Sequence, residues 1–253
     1  MHSSKRTIAL FGATGGTGLS ILKNCLSAGH TVRVLARTPS KLSSLSAQHA
    51  NLHIVQGDIS DVAAITTTLR SPDTPQGQGR AVDVVISAIG MALEMKRLSF
   101  TSTNPHVCES ATANILSALS ALSADPATID PLLVLLSTTG ISSKSRDIPL
   151  LMLPLYHWVL PVPHADKKAL ESLAIRSGRR WVLVRPSFLM NGEARGLGAV
   201  RTGVEVPGER KGEGEDHAVG YTIRREDVAL WIYEACVEGD GRRWEGKCVS
   251  LTY

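Results

Sequence analysis

The 253 residues and their composition are those of an ordinary globular protein. Hydrophobic residues make up 43% and charged residues 20%, so the chain can bury a core that needs neither disulfides nor metals. The net charge of +4 and the 4% aromatic content leave no basic tract and few stacking surfaces, which excludes a nucleic-acid stripe. No run reaches about 18 apolar residues, so no membrane span is predicted.

Cysteine and histidine spacing argues against disulfides and metal sites. The four cysteines lie far apart and form no CxxC pair, which predicts free thiols in a reducing compartment. The eight histidines show no HExxH spacing, so no metal is expected. Residues 1–6 are polar and run directly into an apolar strand, which predicts no signal peptide and a cytoplasmic protein.

Residues 7–18 predict a strand, a tight glycine turn and the start of a helix. The apolar run 8–11 suits a buried strand, and glycines then recur every third residue before a helical apolar stripe that ends at Gly29. In such a turn the first glycine permits the bend, the second admits a pyrophosphate and the third lets the helix pack on the strand. An ordinary glycine-rich loop is the alternative. The predicted phosphate-binding residues are Gly12, Thr14, Gly15, Gly16, Thr17 and Gly18.

The end of the second predicted strand, residues 31–35, indicates which dinucleotide binds. An NAD site places a carboxylate there to bond the ribose 2′-hydroxyl. Here Ala36 and Arg37 follow, and a guanidinium suits a 2′-phosphate, so NADP(H) is predicted over NAD(H). A solvated surface charge is the alternative for Arg37. Nearby polar residues that would help are Arg33, Ser40 and Lys41.

The next elements alternate between strands and helices, as in a parallel sheet. The predicted strands are 52–55, 82–87 and 131–136. The predicted helices are 40–48, one that follows residues 59–61 and runs to about 69, and 105–123. Residues 70–81 are expected to be an exposed connection, and residues 91–104 a loop over the site. Asp58 is placed either to accept from an adenine amino group or to cap the following helix.

Ligands of an open parallel sheet bind beyond the carboxyl ends of its strands. Residues that follow the predicted strands should therefore meet in one crevice. Besides the glycine turn and Arg37, these are Asp58, Ile59, Ser87, Ala88, Ile89 and Gly90, with the hydroxyls of residues 137–140. The predicted fold is α/β, a doubly wound parallel sheet.

The second half of the chain contains the segments expected to hold a substrate. Residues 148–163 are apolar and contain Tyr156; they line a pocket or simply pack in the core. A helix over 164–177 and a strand over 180–185 lead to Pro186 and Phe188. Residues 201–220 are glycine-rich and charged, which predicts a mobile loop. A helix over 223–237 and a strand over 247–252 end the chain.

With these motifs in view, the chain resembles the atypical short-chain dehydrogenases/reductases, in particular the NmrA-like NAD(P)H-binding branch. The resemblance rests on motifs in the expected order: GATGGTG (12–18), VLAR (34–37), GD (57–58), VISAIG (85–90), LLSTTG (135–140), VLVRPSFL (182–189) and IRREDVA (223–229). It implies one Rossmann domain over 1–253, with a small C-terminal substrate lobe from about 141–163 and 187–223. It also implies that Pro186, Phe188 and the small turn after the fourth strand contact the cofactor.

One departure from the family concerns the catalytic pair. Most reductases of this family carry Tyr-x-x-x-Lys, and the segment that aligns here places His164 at the tyrosine position and Lys168 at the lysine position. Residues i and i+4 share a helix face, so both would point at the crevice. The resemblance then implies His164 as proton donor or base, Lys168 as a ribose ligand and Ser137 or Thr138 as the hydroxyl that orients a carbonyl. Tyr156 is the fallback proton donor.

Three functions follow. The first is an NADPH-dependent reductase of a small, fairly hydrophobic carbonyl or unsaturated compound, aromatic or polyketide-like, in secondary metabolism. The second is an isomerase, dehydratase or cyclase on the same fold. The third is an NADP-binding redox sensor with a protein partner. The expected partners are a small-molecule substrate and at most a second copy of the chain, as monomer or homodimer.

Overall fold

A computed structural model describes residues 4–71, 80–91, 94–96, 99–101, 104–122, 130–142, 144, 147–152, 160–209, 216, 218–239 and 241–253. Its strands are β1 (Thr7–Phe11), β2 (Thr31–Ala36), β3 (Leu52–Gln56), β4 (Val84–Ser87), β5 (Glu94–Lys96), β6 (Ser99–Thr101), β7 (Leu132–Leu136), β8 (Trp181–Pro186), β9 (Phe188–Met190), β10 (Arg201–Glu205), β11 (Thr222–Arg224) and β12 (Lys247–Thr252). Its α-helices are α1 (Gly16–Ser27), α2 (Ser43–Gln48), α3 (Val62–Leu69), α4 (Val107–Leu122), α5 (Pro161–Arg176) and α6 (Arg225–Ile232).

Eight strands form the main sheet in the order β10-β12-β8-β7-β4-β1-β2-β3. The pairs from β12 to β3 are parallel, while β10 pairs antiparallel with β12. The chain moves outward from β1 in one direction through β2 and β3 and in the other through β4 and β7. This reversal beside β1 is the switch point at which doubly wound sheets bind ligands. The predicted Rossmann fold is confirmed.

Alternating residues of β1 belong to two hydrophobic cores, one on each face of the sheet, and helices pack against both. Ile8 and Leu10 pack with α1 and α6, whereas Ala9 and Phe11 pack with α3, α4 and α5. Successive side chains of a strand point to opposite faces, so a strand buried on both sides must be apolar throughout. This is why TIALF is buried at all five positions.

Several predicted boundaries and two predicted loops differ in the structure. Residues 91–104, predicted as a loop, contain the hairpin of β5 and β6. Residues 201–220, predicted as a mobile loop, begin with the edge strand β10, whose backbone hydrogen bonds to β12 override the polar composition. The predicted helix over 223–237 is divided: β11 precedes α6, and a π-helical segment, Tyr233–Glu238, follows it.

The helix predicted over 164–177 begins three residues earlier, at Pro161. Proline suits the first helical position because the N–H that it lacks would have no intrahelical acceptor there. His164 therefore lies inside the first turn, and its backbone N–H donates to the Leu160 oxygen at 2.9 Å. The remaining predicted strands and helices lie within three residues of the observed ones where the structure describes them.

Candidate active site

The glycine turn between β1 and α1 is shaped by two close backbone approaches. Gly12 has φ +85°, and a Cβ there would lie 2.8 Å from the backbone of Ala88, at the end of β4. A Cβ on Gly18 would lie 2.2 Å from the Gly12 oxygen, so α1 packs directly on the turn. A Cβ on Gly15 would meet nothing within 4 Å. The turn thus leaves open space in front of the first residue of α1, where a phosphate would be placed.

A cleft of about 500 Å³ opens in front of this turn, beyond the carboxyl ends of β1, β2, β3 and β4. Its walls contain ten of the predicted cofactor residues: Gly12, Thr14, Gly15, Arg37, Lys41, Asp58, Ile59, Ala88, Ile89 and Gly90. Thr38, Asn104 and Val107 also line it. Strand ends that are far apart in sequence are brought together here, as the parallel topology requires.

The other predicted cofactor residues are not among the described residues that line this cleft. Thr17, Gly18 and Ser87 are buried beneath the turn and support it from behind. Gly16 begins α1 beside the cleft. Pro186 is buried at the end of β8, and Phe188 is 45% exposed just beyond it. Contacts of Pro186 and Phe188 with a cofactor therefore stay a prediction.

The end of the cleft at β2 is cationic. Arg37 is largely exposed there, and Lys41 lies on the 3-10 turn Pro39–Leu42. The carboxylate of Asp58, at the end of β3, is 4.0 Å from the Arg37 Nε, and both side chains are exposed. Such a solvent-exposed pair contributes little, so the guanidinium is available to a stronger anion.

Two neighbouring residues have structural roles instead. The cap of α3 is Asp61, whose Oδ1 accepts from the Ala64 N–H at 3.0 Å; the capping alternative for Asp58 is therefore wrong. Asp58 holds the preceding turn by accepting from the N–H and hydroxyl of Ser60. Arg33 donates to the carbonyl oxygens of Thr67 and Thr68 at the end of α3, so its side chain is turned away from the cleft.

The lysine that reaches the crevice from α5 is Lys167. Its Nζ donates to the carbonyl oxygen of Ile89 at 2.9 Å and to that of Leu136 at 2.6 Å, at the ends of β4 and β7. Lys168, predicted to point there, is exposed. The buried side of α5 includes Asp166, Leu170, Glu171 and Ala174. Because each helical residue turns by about 100°, Lys168 falls outside that side.

Because Lys167 and not Lys168 reaches the crevice, the residue one helical turn before the lysine is also a different one. Pro163, not His164, lies four residues before Lys167, and proline has no hydroxyl. His164 is half-buried in the first turn, and its Nε2 is out of contact with solvent. The predicted pairing of His164 and Lys168 across the crevice is therefore corrected. Tyr156 lies outside the described residues.

The hydroxyl of Ser137 forms a hydrogen bond on the side of β7 that is away from the glycine turn. It donates to Glu171 Oε1 at 2.6 Å, and Arg185 holds the same carboxylate through Nε at 2.8 Å and Nη2 at 2.7 Å. Arg185 Nη1 also donates to Glu205 at 3.0 Å. Burial alone lowers the pKa of Arg185, but its hydrogen bonds to Glu171 outweigh this and raise it. Ser137 thus belongs to a buried ionic cluster, and Thr138 is half-buried beside it.

Lys167, Thr38, Asn104 and Val107 are site residues that the motifs did not indicate. Lys167 could have been found from the spacing of the apolar residues of α5, because Leu170 and Ala174 continue its side of the helix. Thr38 could have been found only from the path of the chain after β2. No group of three described His, Cys, Asp or Glu residues is placed to hold a metal ion.

A family model described as NAD(P)H-binding matches residues 12–238. The chain belongs to this NAD(P)H-binding family. The reductase pytE of Aspergillus terreus is 41% identical over the full length of both chains, and the oxidase pynE of Aspergillus niger is 36% identical over 98% of this chain and 99% of its own. The predicted resemblance to the atypical short-chain dehydrogenases/reductases is confirmed.

Solved structures agree with this NAD(P)H-binding fold. A wide-type short-chain dehydrogenase/reductase from Veillonella parvula in complex with NADP aligns with a TM-score of 0.71 at 13% identity, covering 98% of this chain and 94% of its own. ChuY, an anaerobilin reductase from Escherichia coli O157:H7, aligns with a TM-score of 0.67 at 20% identity, covering 97% and 96%. At such identities the likeness shows the fold alone. No helix in the described ranges is long and apolar enough to cross a membrane.

Proposed function

We propose that this NAD(P)H-binding protein is an NADPH-dependent reductase of a small, fairly hydrophobic carbonyl or unsaturated compound. The observation that carries the choice of NADPH is the cationic end of the cleft, where Ala36 takes the place of a carboxylate and Arg37 follows it. A 2′-phosphate would replace the weak contact of Arg37 with Asp58 by a charge-assisted, bidentate one.

The groups at the other end of the crevice support a reaction at a carbonyl. When bound, NADPH supplies a hydride. Lys167 holds its ammonium group between the ends of β4 and β7, where it can donate a third hydrogen bond to a cofactor ribose or a substrate oxygen. Thr138 is half-buried at the end of β7, and its hydroxyl would orient the substrate oxygen.

Exposed apolar side chains beyond β8 support a hydrophobic substrate. Phe188 and Met190 are 45% and 44% exposed on β9, and Tyr221 is 51% exposed beside them. Leu150 and Leu151, in the 3-10 turn Leu150–Met152, are also exposed. Apolar side chains that are exposed beyond the carboxyl end of a strand suit contact with a ligand that is largely apolar. The relatives from two Aspergillus species, named as a reductase and an oxidase, support a redox reaction.

The register of α5 favours a second candidate, a non-redox reaction on the same fold. Pro163 stands where the tyrosine of the family would precede Lys167, so this side of the helix offers no phenol for proton transfer. An isomerase, dehydratase or cyclase needs no hydride and would tolerate this replacement. Product formed from a test substrate without a change in nicotinamide absorbance would favour this candidate.

The choice of cofactor is tested by titrating the purified protein with NADPH and NADH and repeating the titration with Arg37→Gln. Loss of a charge-assisted fork should weaken NADPH binding by about 10- to 100-fold and leave NADH binding nearly unchanged. Arg176→Gln, an exposed arginine at the far end of α5, is the matched control. Equal losses for both nucleotides would overturn the NADPH preference. Consumption of NADPH with a panel of carbonyls and quinones then tests the reductase.

A further inference from the structure

The first turn of α1 has none of the groups that usually neutralise a helix N-terminus. Its cap, Gly15, has no side chain, and the turn contains no acidic residue. The neighbouring helix α6, by contrast, has Glu226 and Asp227 in its first turn. The partial positive charge of α1 is therefore directed at the crevice without compensation.

Arg225 adds a full positive charge at the same place. It is the first residue of α6, and its side chain crosses Gly16: a Cβ on Gly16 would lie 2.6 Å from the Arg225 Cδ and 2.8 Å from its Nε. A cation beside a helix N-terminus is unfavourable unless an anion accompanies it. The juxtaposition of Arg225 with the glycine turn thus favours a negatively charged ligand.

The orientation of the guanidinium leaves one edge available. Nη1 donates to the Leu189 oxygen at 3.2 Å and to Asn191 Oδ1 at 2.8 Å, while Nε and Nη2 donate to no acceptor among the described residues. The Nε–Nη2 edge is the one with which Arg185 holds both oxygens of Glu171. Its planar geometry fits two oxygens of a phosphate equally well.

The position of Arg225 in the fold indicates which phosphates it would meet. Arg37 follows β2, whereas the anchors of Arg225, Leu189 and Asn191, follow β8, and these strands lie on opposite sides of β1. Arg225 is thus on the side of the turn away from the 2′-phosphate end. The groups of a dinucleotide that pass over the first turn of α1 are its two bridging phosphates.

We propose that Arg225 binds the pyrophosphate of the dinucleotide through its Nε–Nη2 edge, and that Gly16 is small so that this side chain can cross it. The proposal deepens the cofactor binding of the proposed function and rests on it. It makes Arg225 a determinant of affinity for both NADPH and NADH, in contrast to Arg37, which distinguishes between them.

The test compares Arg225→Gln with Arg224→Gln, a matched loss of charge one residue away, where the guanidinium donates to the Glu193 oxygen instead. NADPH, NADH and 2′-AMP, which lacks the pyrophosphate, are titrated, 2′-AMP by competition with NADPH. Arg225→Gln should weaken both dinucleotides by about 10- to 100-fold, leave their ratio unchanged and leave 2′-AMP binding intact. Arg225→Lys, which keeps the charge but not the planar fork, should show a smaller loss.

Unchanged binding of both dinucleotides by Arg225→Gln would overturn the proposal. An equal loss for 2′-AMP would also overturn it, because the effect would then be a general distortion of the cleft, as would an equal loss in Arg224→Gln. The NADPH preference is tested separately. It is wrong if Arg37→Gln leaves the ratio of the NADPH and NADH dissociation constants unchanged. In that case the NADH affinity of the Arg225→Gln variant still tests the role of Arg225.

Discussion

Ser137 and Thr138 follow the same strand, yet their hydroxyl groups meet different surroundings. Ser137 is buried and donates to Glu171, which Arg185 also holds. Thr138 is half-buried at the carboxyl end of β7, the edge at which parallel sheets bind ligands. Adjacent residues of an extended chain point in opposite directions, so only one of the two can face the crevice.

The structure predicts opposite effects for substitutions at these two residues. Ser137→Ala should lower the free energy of unfolding by about 1 kcal/mol, through the lost hydrogen bond to Glu171, and retain most of the turnover. Thr138→Val should retain stability and lower turnover at least about tenfold, because the hydroxyl that orients the substrate oxygen is removed. Urea unfolding and steady-state rates measure the two effects. A large loss of turnover in Ser137→Ala with normal stability would contradict this assignment.

At the scale of the element, α5 connects the crevice to the rest of the fold through one side of the helix. Asp166 accepts from the N–H groups of Cys108 and Glu109 at 3.0 and 2.8 Å, which caps α4. Lys167 joins the ends of β4 and β7, and Glu171 holds Arg185. The helix register therefore decides which residues of the aligned segment reach the site.

Lys167→Ala and Lys168→Ala form a matched pair for this register. Lys167→Ala removes the donor for two inward-facing carbonyl oxygens, so the free energy of unfolding should fall by about 1–3 kcal/mol and cofactor affinity should fall as well. Lys168→Ala removes an exposed side chain and should change stability by less than about 0.5 kcal/mol. Thermal unfolding with and without NADPH measures both quantities. A larger effect at Lys168 would show that α5 is turned differently.

At the scale of the whole molecule, helices cover both faces of the sheet, and all four cysteines are buried between the layers. Burial raises the pKa of Cys25 and of Cys236 to about 12, and that of Cys108 to about 11, from an ordinary value of 9.0. Burial also raises the pKa of Cys248. These thiols stay protonated near neutral pH, which removes them as nucleophiles.

The four thiols should therefore resist alkylation and disulfide exchange in the folded protein at about pH 8 and react fully in urea. The unfolded chain loses the thiol protons near pH 9.0, whereas the folded chain holds them to higher pH. The free energy of unfolding should then be undiminished below about pH 9 and should fall as the pH rises through the folded values. Counting reactive thiols over time checks this, and rapid labelling of one native thiol would contradict the packing.

Local patterns in the sequence were sufficient for the fold and for half of the crevice. Short stretches of sequence are enough to identify the buried strands of four to six residues, the glycine turn and Arg37 after β2. Ten of the predicted cofactor residues line the cleft. The edge strand β10 was missed because its stability comes from pairing with β12, about 45 residues further along the chain. Its own glycine and charged residues resemble those of a loop.

The parallel sheet, the dinucleotide turn and the family could all be predicted from residue types, because each depends on fixed local spacing. The folded chain was needed to show that Lys167 reaches the strand ends, that Ser137 is bound to Glu171, and that Arg225 crosses Gly16. The physical reason is that a side chain's direction follows from helix rotation and from the packing of segments far apart in the chain. An alignment of motifs contains no information on helix rotation or on this packing. A shift of one residue on α5 turns a side chain by about 100°.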